Sequence, residues 1–147
     1  MAELTIEEVA DGAALREALA IRREVFCVEQ GVSEAEEMDG RDGECRHYIV
    51  RRRGVAIATA RVMPGHTGVA KIQRVAVKAR HRRRGIGNRL MQRIIADAQM
   101  RGICRLELDA QCYVEAFYRA LGFASESDVF IEAGIPHVRM ARTLSAS

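Results

Sequence analysis

The densest cluster of positive charge in the sequence stands directly before two closely spaced glycines: Ala79 to Leu90 reads ARHRRRGIGNRL. Five basic side chains, Arg80 to Arg84, precede Gly85-Ile86-Gly87, and an apolar-periodic segment follows at once. Like charges side by side repel, so folding alone gives little reason to gather them. A helix N-terminus carries unpaired N–H groups and the positive end of the helix dipole, which makes it a preformed anion site. Gly85 and Gly87 lack a Cβ and let an anion approach the backbone. Arg82, Arg83 and Arg84 can add charge-assisted hydrogen bonds. The chemistry this pattern suits is phosphate binding. Two better-defined phosphate motifs do not fit: no Lys-Ser or Lys-Thr follows the glycines, and Leu90 stands where a dinucleotide fingerprint needs its third glycine. What remains is R-x-x-G-x-G, Arg82 to Gly87, after a Val-Ala-Val strand. The competing reading is a solvated basic loop that caps a core helix.

The elements that must position this loop are legible in the hydrophobic pattern. Ile86, Leu90 and Ile94, with Met91, Ile95 and Ala98, recur at helical spacing and predict a helix over 85–101, stopped by Gly102. KIQRVAV (Lys71–Val77) before it and CRLELDA after it read as strands. LTIEEVA (Leu4–Ala10) reads as a first strand. Asp11 can cap a helix that carries Leu15, Ala18, Leu19, Arg22 and Phe26. EQGVSEAEEMDGRDGEC is polar and glycine-broken and reads as a long, solvated loop with at most a helical turn. HYIVRRR and VAIATARVM flank Gly54 as a hairpin. VEAFYRAL reads as a short helix ended by Gly122. FASES and PHVRMART read as closing strands with EAGIP as the turn between them. The sum is an α+β chain with helices inserted into a largely antiparallel sheet.

Composition narrows the function classes. The 147 residues suit a single domain (1–147), and 48% hydrophobic with 29% charged residues is ordinary for a folded, soluble chain. No apolar run approaches the ~18 residues of a membrane span, and MAELTIEEVADG lacks the basic and apolar regions of a signal peptide. The expected location is cytoplasmic. Cys27, Cys45, Cys104 and Cys112 and the four histidines are scattered, so no metal-ligand spacing is present and no metal is expected. The net charge is only +3. Its distribution is uneven: Glu29–Glu44 holds seven acids against Arg41, and Lys71–Arg93 holds nine Lys or Arg and no acid. One face therefore repels anions and another collects them.

Two segments together resemble the GCN5-related N-acetyltransferase (GNAT) superfamily. RVAVKARHRRRGIGNRLM (Arg74–Met91) is similar to its acetyl-CoA motif, Q/R-x-x-G-x-G/A after a strand. AFYRALGF (Ala116–Phe123) is similar to its second signature, a tyrosine four residues before Gly-Phe. IRREVFCVEQGV, LDAQ and EAGIPHVRM resemble one bacterial branch, the ElaA/YjcF-like proteins, so the likeness covers almost the whole chain. It implies an acyl-CoA N-acyltransferase fold: a twisted mixed sheet flanked by helices, with the two central strands, KIQRVAV and CRLELDA, splayed apart. It implies that acetyl-CoA enters that gap, with main-chain contacts at Val75, Ala76 and Val77 and the pyrophosphate on the amides of Arg83, Arg84, Gly85, Ile86, Gly87 and Asn88. Arg82 and Gln111 are further cofactor-binding candidates.

The implied reaction moves an acetyl group from the thioester to the primary amine of a small-molecule acceptor by direct attack. The developing oxyanion needs a donor, for which main-chain N–H near Val75 or Ala76 is placed, and the departing thiolate needs stabilisation. Tyr118 stands where the family's general acid stands. A thiol titrates near ~8.5 and a tyrosine near ~10, so a hydrogen bond to the leaving sulfur can suffice without full proton donation. Many relatives carry a glutamate base on the strand before the loop. This chain has Gln73, which leaves Glu29, Glu115, a water chain or the titratable His137 as candidates. Arg22, Glu29, Gln30, Gln73 and His137 are the substrate-side candidates, and the acidic run can attract a cationic amine. Two other classes compete. A nucleic-acid binder fits the basic stripe, but Lys71–Arg93 contains no aromatic residue for base stacking. A non-catalytic CoA-binding module fits Gln73 but leaves Tyr118 without a role. Nucleic acid and membranes are not expected partners; homodimers are common in the family.

Overall fold

The computed structural model describes residues 3–145. Its sheet is built in the order β1-β2-β3-β4-β5-β8-β6, with β7 also on β8. The strands are β1 Leu4–Glu8, β2 Arg46–Arg52, β3 Val55–Pro64, β4 Val69–Val77, β5 Arg105–Gln111, β6 Ala124–Ser125, β7 Phe130–Glu132 and β8 Ile135–Thr143. All pairings are antiparallel except β4 with β5, which makes the sheet mixed. The helices are α1 Gly12–Arg22, α2 Glu34–Glu37, α3 Ile86–Met100 and α4 Glu115–Ala120.

Packing divides between the two faces of the sheet. Leu90, Met91 and Ile94 of α3, spaced along one helix face, are fully buried against Ile57, Ile72, Leu106 and Leu108 together with Tyr118 and Phe123. Burial of each such side chain contributes about 1.5–3 kcal/mol. On the opposite face Ile21 and Val25 pack on Ile49, Ala56 and Ala76. Asp11 caps α1 by accepting from the Ala14 N–H at 2.8 Å.

Four readings of the sequence are corrected. The first strand ends at Glu8, two residues early. The helix through Phe26 changes winding: Arg23–Glu29 is π-helical, with Gln30 N donating to Val25 O five residues back. A third short strand, β7, intervenes between Ser125 and β8; the turn is only Ala133–Gly134, and Ile135 and Pro136 already pair. A two-residue turn with both central φ positive matches the twist of a tight hairpin.

The fourth correction concerns the acidic run, which is solvated at Glu34, Glu36 and Glu44 but turns Glu37 and Asp42 inward. Ser33 caps α2, and Glu37 is only 4% exposed. Buried Arg22 (1% exposed) donates from Nε to Glu37 at 2.5 Å and from Nη1 to Asp42 at 2.7 Å. Fully buried Arg61 reaches Asp39 and Asp42. Charges this deep persist only when paired and hydrogen-bonded, so the acids are there to receive two arginines from α1 and β3.

Candidate active site

β4 and β5 pair only from Val69 with Arg105 to Ile72 with Leu108. Beyond that point Gln73–Val77 and Asp109–Gln111 have no ladder between them, so the centre of the sheet opens. The register of β4 on β3 also slips between Thr59 and Arg61, where Arg74 adopts φ 58°. This bulge bends the free half of β4 away. Arg74 is held in that conformation by donating to the carbonyl of Glu37 at 3.0 Å.

The opening is a cavity of about 960 Å³, in the size range of small-molecule sites. Val75, Ala76 and Val77 line it from β4, and Arg82, Arg83, Gly85, Ile86, Gly87 and Asn88 from the basic loop and the start of α3. Gln111 and Tyr118 line it from β5 and α4, and Gln30, Gln73 and His137 complete the sequence-derived set at its wall. Arg84, Glu29 and Arg22 do not line it. Arg22 is consumed by Glu37 and Asp42, which removes it from the substrate side. Glu29 pairs through both carboxylate oxygens with Arg82, whose Nε also donates to Val77 O at 2.8 Å. The hydrogen bonds that Arg82 donates to Glu29 hold its carboxyl below the usual range, against burial, which pushes it up.

The cationic end is shaped for an anion. Gly85, the residue before α3, has φ 75°, no side chain caps the helix and no acid stands in its first turn. The orphan N–H donors of that turn therefore have no internal acceptor among the described side chains. A Cβ on Gly87 would meet Phe117 Cζ at 3.4 Å, an ordinary contact inside the cavity wall. Burial first, then Arg52, Arg84, Arg80 and Lys78, push the His81 imidazole below its ordinary range. These arginines therefore raise a positive potential felt inside the site.

Tyr118 is buried beneath the gap, with its ring edge-on to Phe117 at 5.0 Å and to Phe123 at 6.1 Å. Burial raises its phenol pKa, so the group is a neutral O–H donor throughout the physiological range. Gln111 and Gln30 exchange amide hydrogen bonds at 3.0 and 3.2 Å and tie β5 to the π-helical segment. The Gln73 side-chain oxygen accepts from Arg61 Nε at 3.0 Å. His137 is 7% exposed; its Nδ1 lies 2.7 Å from Ile135 O, and its ring stacks on Phe130. Sequence reasoning missed Arg61, Arg74, Phe117 and Glu132, and took Asp39 only as part of the acidic run. Only Phe117 carried a signal, its place beside Tyr118.

The fold and sequence have close counterparts. YyaT of Bacillus subtilis is 35% identical over 146 residues, 97% of each chain. The solved structure of an acyl-CoA N-acyltransferase from Pseudomonas aeruginosa is 31% identical with a TM-score of 0.83, covering 97% of this chain and 99% of that one. Escherichia coli ElaA superposes with a TM-score of 0.84 at 28% identity over the same shares. Residues 5–144 match the acetyltransferase (GNAT) domain family. A central strand pair that opens over an uncapped helix N-terminus, in a chain that matches this family almost end to end, identifies the protein as a GNAT-family acetyltransferase related to ElaA.

Proposed function

We propose that the protein transfers an acetyl group from acetyl-CoA to the primary amine of a small-molecule acceptor. The observation that carries this reading is continuity. One cavity joins the uncapped N-terminus of α3, the half of β4 that is unpaired with β5, and Tyr118. The donor's phosphates suit the amides from Arg83 to Asn88, and its extended arm suits the edge of Val75 to Val77 that β5 leaves unpaired, where Val77 O already accepts from Arg82. Acetyl-CoA supplies an activated thioester; the chain supplies position and hydrogen bonds. Main-chain N–H near Val75 or Ala76 faces the oxyanion that attack creates, and the Tyr118 O–H faces the departing sulfur. The acceptor approaches from the α1 side of the sheet. Asp39 lines that end of the cavity and keeps its charge, because its hydrogen bonds from Arg61 hold its carboxyl far below the usual range.

Calorimetric titration tests the reading. Saturable one-to-one binding of acetyl-CoA, weaker for dephospho-CoA, is expected at low and high salt. Tight, steeply salt-dependent binding of a DNA duplex with no acetyl-CoA heat would overturn it. Within the reading, Tyr118→Phe is expected to leave acetyl-CoA affinity unchanged and lower kcat about tenfold. That is the loss of one hydrogen bond of ~1–1.5 kcal/mol to a leaving group that is already acidic. Steady-state kinetics beside the titration separate the two effects.

A further inference from the structure

We propose that His137 is the general base of the transfer and takes the amine proton at Nε2, with Glu132 as the carboxylate that balances the resulting imidazolium. The proposal rests on the acyl-transfer reading above and adds the group that reading lacks.

The other candidates are occupied. Gln73 has no basic lone pair at neutral pH, and its oxygen is fixed by Arg61. Glu29 is locked onto Arg82 outside the cavity wall. Glu115 pairs with Arg119 and Ser125 and does not line the cavity. Asp109 is neutralised between Lys71 and Arg139, and Asp39 faces Arg61. Glu36 belongs to the Ser33 cap, with which it exchanges hydrogen bonds. His81 sits among the arginines at the phosphate end.

His137 is built differently. A carbonyl oxygen only accepts, so the contact with Ile135 O puts the hydrogen on Nδ1 and leaves the lone pair of the neutral ring on Nε2. That atom has no hydrogen-bond partner among the described residues, and Glu132 Oε2 lies 3.9 Å from it. The ring is oriented by its stack on Phe130, 6.0 Å between centroids and 22° from parallel. The β7–β8 hairpin sets both neighbours through the pairs Phe130 with His137 and Glu132 with Ile135. The charged groups next along this face are Asp109 and the two cations paired with it, Lys71 and Arg139.

Sheet parity completes the geometry. His137 pairs with Gln111, whereas the adjacent pair, Ala110 with Val138, points into the core that contains Tyr118. Proton acceptor and proton donor thus flank the gap from opposite faces. An ammonium substrate first gives one proton to Nε2; the freed lone pair forms the new N–C bond, the C–S bond breaks with its electrons going to sulfur, and the excess proton left on nitrogen passes to the thiolate. Tyr118 hydrogen-bonds the sulfur, and the imidazolium returns its proton to water.

The test is His137→Asn, whose amide keeps a donor for Ile135 O and carries no base. Thiol release from acetyl-CoA is followed with benzylamine, 1,4-diaminobutane and the weakly basic methoxyamine between pH 6 and 9, with calorimetry and thermal melting alongside. Expected for both alkylamines is a loss of about 100-fold or more in kcat, with acetyl-CoA affinity within about twofold; the acid limb of kcat/KM disappears with methoxyamine alone, since the alkylamines keep the limb of their own ammonium ionisation. The loss with methoxyamine, which arrives neutral, is expected to be about tenfold smaller. Activity within about threefold of wild type, with the pH profile unchanged, would overturn this proposal alone. A wild-type protein that binds no acetyl-CoA, or releases no thiol with any amine, overturns the acyl-transfer reading and this one with it. If the variant does not fold, 15N NMR of the wild-type imidazole decides: a proton on Nδ1 is expected, and one on Nε2 would refute the base.

Discussion

Arg61→Ala is expected to destabilise the fold by about 3–5 kcal/mol, the cost of leaving buried charge without its partner. The guanidinium is fully buried and uses every face of its fork: Nε donates to Gln73, Nη1 to Asp39 and Asp42, Nη2 to Asp39. Truncation leaves a cavity on β3 and two carboxylates short of a cation. For a chain of this size that corresponds to a fall of roughly 10–15 °C in Tm. Arg61→Lys keeps the charge but not the fork, so it is expected to lose less than half as much. The penalty depends on pH with a definite sign. Hydrogen bonding to Arg61 holds the Asp39 carboxyl well below its unfolded value. Asp42 is also lowered: its hydrogen bonds to Arg22 and Arg61 outweigh burial, which pushes upward. A depressed carboxylate stabilises the fold above its unfolded pKa, and that contribution is lost as pH falls through the folded value. The gap between wild type and Arg61→Ala is therefore expected to narrow from pH 7 into strong acid. Denaturant melts at several pH values measure it; a gap that stays constant or widens with acid would show that the ion pairs do not carry the stability.

This network also marks where sequence reading stops. The period of Ile86, Leu90 and Ile94 encodes α3 because neighbours on one helix supply the signal. Tyr118 and Gly85–Asn88 are legible for a similar reason, since offset and glycine spacing are local. Arg22, Glu37, Asp42 and Arg61 owe their burial to partners 15 to 22 positions apart. Nothing in an acidic run announces which distant arginine will sit inside it, and composition alone describes it as solvated. The bulge at Arg74 shifts the core-facing positions by one, from Ala70 and Ile72 to Val75 and Val77, and the unbroken apolar run Val75-Ala76-Val77 masks that change of phase in the sequence. The π-helical turn depends on Gln30 finding Val25 O rather than Phe26 O. For His137 the sequence provides a titratable ring near the end of the chain. Which nitrogen carries the lone pair follows only from the carbonyl of Ile135 and the hairpin that holds it.

Gly87→Asp is expected to move affinity and stability in opposite directions, which isolates the anion site from the fold. The position is the second residue of α3, φ is not positive there, and the added Cβ meets Phe117 at ordinary contact distance. Aspartate is nearly as poor a helix former as glycine, so the swap gains only about 0.3 kcal/mol in propensity, while a carboxylate in the first turn adds ~0.3–1 kcal/mol through the helix dipole. Tm is therefore expected to hold or rise by a few degrees. The same carboxylate would stand where the proposed pyrophosphate needs the bare amides. Two like charges ~4 Å apart repel by up to ~4 kcal/mol at an effective dielectric near 20. An affinity loss of about 100-fold for acetyl-CoA, or ~2.7 kcal/mol, lies within that bound. Gly87→Ala separates shape from charge: it is expected to weaken binding by about fivefold or less while gaining a similar increment of helix stability. Calorimetry beside thermal melting reads both axes. Unchanged acetyl-CoA binding in Gly87→Asp would place the phosphates elsewhere and leave the uncapped helix as architecture; a parallel fall in Tm would show instead that the glycine serves the packing of Phe117.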